Sequence, residues 1–258
     1  MPIWLRYLII CPLVFLAGFV DSIAGGGGLI SLPAYLLAGL APHDAVGTNK
    51  VSSCLGTTVA TARYAREGYI PLRETLLAVP CALAGSYLGT QISLAISDDA
   101  LRVVLLMVLP LTAVYVVFFS DFSGRKRELL PQRTGALLWV AVALISLVIG
   151  VYDGFYGPGT GTFLMLLLTG ILHMAVENAA GLTKAINLST NVMALAVYLV
   201  SGKARLAYGL PAALFSMAGN YLGSRCFLKN GARVVRPVML LVLGVFFVRT
   251  LLEVLGAG

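Results

Sequence analysis

Two stretches of this chain interrupt long apolar runs with glycine, and they do so in the same way. "GFVDSIAGGGG" at 18–28 is answered by "GVYDGFYGPGT" at 150–160, an offset of 132 residues. Each copy places an aspartate, Asp21 or Asp153, just before the break. Glycine runs are poor helix formers, and Pro158 removes a backbone donor. Lipid-exposed backbone must be helical or closed, so such breaks persist at membrane depth only where protein buries them or a wet cavity lies alongside.

The membrane premise comes from composition. Of 258 residues, 59% are hydrophobic and 11% charged, whereas a soluble domain carries about 25% charged residues. Charge-poor apolar stretches cover 3–23, 28–40, 45–62, 71–96 and 100–119, then 135–152, 160–172, 176–200, 206–228 and 234–256. A helical crossing needs about 20 residues, so 28–40 and 160–172 read as half-helices or re-entrant pieces. The N-terminal run lacks a cleavage site of the usual kind and reads as a retained first helix. The expected fold is therefore an all-α polytopic membrane bundle.

The repetition extends beyond the breaks. "AGSYLGTQ" (84–91) matches "AGNYLGSR" (218–225) at five of eight positions, at an offset of 134. That offset also places Lys50 on Lys184, Tyr64 on Tyr198, Gly68 on Gly202 and Arg102 on Arg236. The chain thus divides into a first repeat at 1–120, a basic cytoplasmic linker at 121–134 containing "GRKREL", and a second repeat at 135–258. Each repeat has four crossings if its short segment is re-entrant, making the repeats parallel, or five if it crosses, making them inverted. The positive-inside rule does not choose between these, and the inverted arrangement is carried forward as the expectation.

Duplicated halves with broken helices are the recurring plan of secondary transporters. Helix N-termini after the breaks carry free N–H groups and positive dipole ends, which suit an anion. This points to Gly26, Gly27, Gly28, Gly159, Thr160 and Gly161 as substrate contacts, although the glycines could instead only permit close helix packing. "HDAVGTNKVSS" (43–53) and "ENAAGLTKAINLSTN" (177–191) hold the densest polar chemistry. A lysine inside a span costs roughly 3 kcal/mol on insertion scales, so it needs a cavity, a route to the interface, or a partner. Lys50 and Lys184, with Asn49, Thr183, Asn187 and Asn191, are candidate anion ligands; structural pairing with Asp21 or Asp153 is the alternative. Those aspartates are candidate proton carriers, and equally candidate helix caps. His43 and His173 read as interfacial loop residues, and Glu177 as a weak coupling candidate.

Other classes find little support. The net charge of +7 could suggest nucleic acid, but the basic residues lie in short loops between apolar spans. No GK[ST] follows the glycines, so a P-loop is not indicated. The four cysteines lack CxxC spacing and read as helix-packing thiols. No catalytic set, resident metal or cofactor is expected; a non-transporting membrane scaffold subunit and an intramembrane enzyme are the alternatives to a transporter.

Together, "GFVDSIAGGGGLISLP…GLAPHDAVGTNK" and "DGFYGPGTGTF…NAAGLTK…N" resemble the TauE/SafE sulfite exporter family, also called the toluene-sulfonate uptake permease family. The resemblance covers nearly the whole chain. It implies a permease of the bacterial inner membrane for sulfur-containing or organic anions, built from duplicated halves. Beside the resemblance, the expected partners are a small anion, the bilayer, a coupling proton and a second copy of the chain. This chain has "AVGTNK" (45–50) where many members look like "AVGTS", placing it with a branch whose substrates are largely unassigned.

Overall fold

A computed structural model describes residues 2–105, 107 and 135–230. The basic segment at 124–129, Arg133, the linker at 121–134 and the apolar stretch at 234–256 lie outside the described residues, as does most of 100–119. Eight helices frame the rest: α1 (Ile3–Ala24), α2 (Gly28–Leu37), α3 (Pro42–Arg66), α4 (Leu72–Ala95), α5 (Ala136–Phe155), α6 (Thr160–Gly170), α7 (Val176–Val200) and α8 (Leu206–Asn230). A further helix begins at residue 98. By length and composition, Ile3–Ile23, Leu72–Ala95 and Ala136–Phe155 are long and apolar enough to cross a membrane.

Local chemistry sets the ends. α3 starts at Pro42, whose fixed φ and missing N–H suit a first helical position. α1 stops at Gly25, which takes φ 77° and returns its N–H to the Asp21 carbonyl at 2.9 Å, a left-handed cap that other residues resist. After each break the chain turns back. The backbone of Gly27 lies against Ala17 and Asp21, and Gly39 approaches the guanidinium of Arg6. α2 therefore returns toward the end at which α1 began. α6 packs back on α5 likewise, with the Tyr152 and Phe163 rings 5.4 Å apart edge to face.

The long helices pack in the order α1–α8–α3–α7–α4–α5, with α2 seated on α1 and α3 and α6 on α5 and α7. Small residues let backbones touch in this row. Gly85 and Gly89 of α4 press on the Leu147 and Val151 carbonyls of α5, while Gly219 and Gly223 of α8 press on Phe15 and Phe19 of α1. The contacts also fix direction. α1 and α8 run the same way, since Tyr7 meets Ala207 and Phe19 meets Gly223. α3 runs with α8, for Val51 meets Gly209 and Gly56 meets Ser216. α4 runs with α5, and also with α7, where Ser86 bonds Thr190 and Ser93 bonds Tyr198. α3 and α7 oppose each other: Gly47 lies at Tyr198, whereas Thr61 lies at Lys184.

One expectation is overturned. His43 is not an interfacial loop residue but sits in the first turn of α3, 4% exposed. Its Nδ1 lies 2.5 Å from Asp98 Oδ1, and its Nε2 lies 2.8 Å from the Ser93 carbonyl. Starting α3 at Pro42 turns the ring inward against the end of α4, where those two acceptors wait. His173 does lie in a connection, between α6 and α7, at φ 54°.

Candidate functional site

Where the two breaks meet, the backbone of Gly25 lies against that of Gly161, and Gly28 against Pro158. A methyl group on Gly161 would come within 2.6 Å of Gly25 Cα, so the contact requires glycine on both sides. The N-termini of α2 and α6 are thereby brought to one place. Neither has a side-chain cap or an acidic residue in its first turn, although Asp153 Oδ1, which accepts from the Thr160 hydroxyl, sets a carboxylate beside the start of α6.

Two buried ion pairs flank this junction, and they cross it. Lys50 Nζ of α3 donates to Asp153 Oδ2 and to the Asp153 carbonyl, each at 2.9 Å, and to Asn191 Oδ1 at 3.1 Å. Lys184 Nζ of α7 donates to Asp21 Oδ2 at 3.0 Å and to the Asp21 carbonyl. Each lysine therefore caps a helix end: it takes a carbonyl of the last turn and the carboxylate of the same residue, where the dipole is negative. The side chains of Lys50 and Asp153 are each 3% exposed, while Asp21 is 16% exposed. Asp153 Oδ1 also accepts from the Thr160 hydroxyl at 2.7 Å.

Beside these pairs is a polar cavity of about 30 Å³. One water needs about 10–15 Å³ by this measure, so the space holds about two. It brings together Asp21, Gly27, Gly28, Asn49, Lys50, Asp153, Thr160, Gly161, Asn187 and Asn191 of the residues named from sequence. The remaining four lie off its wall. Gly26 packs near Thr162, Gly159 takes φ 85° ahead of α6, Thr183 is buried with its hydroxyl unpartnered, and Lys184 is turned to Asp21.

Sequence reasoning missed Ser216 and Asn220, which supply the α8 side of the cavity. The signal was in view, because "AGNYLGSR" sets an asparagine inside an apolar run at the offset of Ser86. Periodicity alone does not tell which face of α8 meets the breaks. No group of three or more His, Cys, Asp or Glu able to hold a metal occurs among the described residues.

At one end of the bundle a second set of charges joins α3 to its neighbours. Asp98 accepts from the His43 backbone N–H at 3.2 Å and from its ring, and Asp44 pairs with Arg205 at 2.7 Å. Burial by itself would raise the Asp98 carboxyl. The two His43 bonds, with the charges of His43 and Lys203, outweigh it and hold the group below its usual value of 3.8.

An apolar helical bundle with paired broken helices around a buried polar centre has the build of a membrane transporter, and comparison with known proteins agrees. Residues 10–250 match the family described as Sulfite exporter TauE/SafE, and the chain belongs to that family. It is 35% identical over 228 residues to the probable membrane transporter protein ORF9 of Sinorhizobium sp, covering 88% of this chain and 85% of that one. It is 30% identical over 238 residues to the probable membrane transporter protein YfcA of Escherichia coli K12, covering 92% and 87%. A probable membrane transporter protein of Haemophilus influenzae is 31% identical over 227 residues, covering 88% and 87%. No solved structure matches the chain.

Proposed function

We propose that this protein is a secondary transporter that moves a small anion, sulfur-containing or organic, across a bacterial inner membrane by alternating access between two inverted repeats. The observation that carries this reading is the pair of crossed lysine–aspartate bridges around a polar cavity at the point where two broken helices meet. Inversion is supported by helix direction. Sequence offset makes α5 the counterpart of α1, α7 of α3 and α8 of α4, and within each couple the two helices run oppositely. Packing has the same symmetry: α1 on α8 answers to α5 on α4, and α3 on α8 to α7 on α4.

In this reading the anion sits against the N-termini of α2 and α6, with Lys50, Lys184 and the amides of Asn49, Asn187 and Asn191 as further ligands. Admitting it requires the two breaks to separate, since the cavity has room for about two waters. Asp21 and Asp153 are the carboxylates a coupling proton would visit, because protonating either frees the lysine it holds. The family description favours sulfite, and the bare geometry favours any small anion.

The test is flux into proteoliposomes against a panel of sulfite, thiosulfate, sulfonates and carboxylates. Saturable flux of at least one of these is expected, with loss in a Lys50→Ala, Lys184→Ala double variant that still unfolds cooperatively. Unchanged flux in that variant would sink the anion-site assignment.

A further inference from the structure

Among the described residues the cavity has no cationic donor free, yet it holds amide oxygens with no donor. An ammonium has three N–H groups, and all three of Lys50 are occupied, two by Asp153 and one by Asn191. Lys184 is turned to Asp21. Two lysines are thus balanced by two aspartates, and of the two helix N-termini that attract negative charge, α6 already has Asp153 beside its first residue while α2 starts on bare glycine backbone.

Asn220 contributes the opposite kind of group. It is 2% exposed, lines the cavity, and its Oδ1 has no partner. Which end of the amide is oxygen is settled by chemistry: Nδ2 donates at 3.0 Å to the Ser216 carbonyl, which can only accept. The amide is also wedged. A methyl on Gly56 would come to 2.5 Å of Nδ2, and one on Gly18 to 2.8 Å. Ser86, which occupies the matching position in α4, is by contrast satisfied, donating to the Thr190 carbonyl at 2.8 Å. Asn49 Oδ1, likewise without a partner, and the Asp21 carboxylate line the same cavity and add further acceptors.

Resting on the transporter reading of this cavity, we infer that the substrate is a small monoanion that also carries an N–H or O–H donor, and that Asn220 Oδ1 receives that donor. The negative end faces the N-termini of α2 and α6, and the donor faces α8. Asn220 is then a specificity residue, separating donor-bearing acids from their methyl isosteres.

Two isosteric pairs of equal charge test this in proteoliposomes at neutral pH: sulfamate against methanesulfonate, and glycolate against propionate. Each replaces a methyl group with an amine or hydroxyl of similar size. Wild-type protein is expected to favour the donor-bearing member about tenfold, one good hydrogen bond, and the ratio is expected to fall toward one in Asn220→Leu. The wild-type ratio tests the inference even where that variant does not fold. Flux without preference in either pair overturns this inference and leaves the transporter reading standing. A ratio that persists in folded Asn220→Leu overturns the assignment to Asn220. Absence of flux for every anion, sulfite included, overturns the transporter reading and this inference with it.

Discussion

Lys50 on α3 holds Asp153 on α5 through both its carboxylate and its backbone carbonyl, at 2.9 Å each, with both side chains 3% exposed. The aspartate nearest the first break, Asp21, belongs to the other lysine. Each break is therefore held by a cation from a helix more than a hundred residues away in the chain.

That relationship gives a pairing test. Removing one member of a buried pair leaves an uncompensated charge, a loss of about 3–5 kcal/mol, while removing both costs much less. Asp153→Asn is expected to destabilise the protein in detergent, Lys50→Met to relieve part of that loss, and Lys184→Met to add to it. A cycle measured by thermal unfolding in which Lys184, rather than Lys50, couples to Asp153 contradicts the crossed arrangement.

The Asp44–Arg205 pair makes the contrast. Arg205 is 55% exposed, and exposed pairs contribute about 0–1 kcal/mol. Arg205→Ala should leave the unfolding midpoint nearly unchanged; a loss comparable to that of Asp153→Asn would show that this end of the bundle is held by charge.

Glycine substitutions separate contact from composition within a single helix. Gly161→Ala drives a methyl group to 2.6 Å of Gly25 Cα, backbone against backbone, and overpacking of this kind costs about 1–3 kcal/mol. Nothing lies within 4 Å of a methyl on Gly170, at the other end of α6, so Gly170→Ala should fall within about 0.5 kcal/mol of wild type. Equal tolerance at both sites, read from yield and unfolding temperature, would count against the contact between the breaks.

Acid sensitivity follows from Asp98. Its carboxyl is held below 3.8 in the folded protein, so its contribution is complete above that value and is lost as pH falls through the lowered one. Asp98→Asn should lower stability near neutral pH and lose less than wild type as pH drops below 3.8. Parallel curves for the two proteins, from unfolding midpoints along an acid series, would show that the bond to His43 does not stabilise the fold.

The membrane-like composition, the two matching breaks and the starts of the broken segments were legible in the residues alone: 28–40 became α2 at Gly28–Leu37, and 160–172 became α6 at Thr160–Gly170. Those are local properties, written in apolar length and in glycine and proline chemistry. The sequence also singled out both lysines and both aspartates, since a charge in an apolar run stands out without any knowledge of the fold. Which lysine meets which aspartate came from the packed bundle, because partners 103 and 163 residues apart are chosen by helix direction and close packing. The same packing turned Asn220 toward the cavity and His43 into the bundle. Periodicity gives a helix its faces, but the neighbours that those faces meet come from the whole chain.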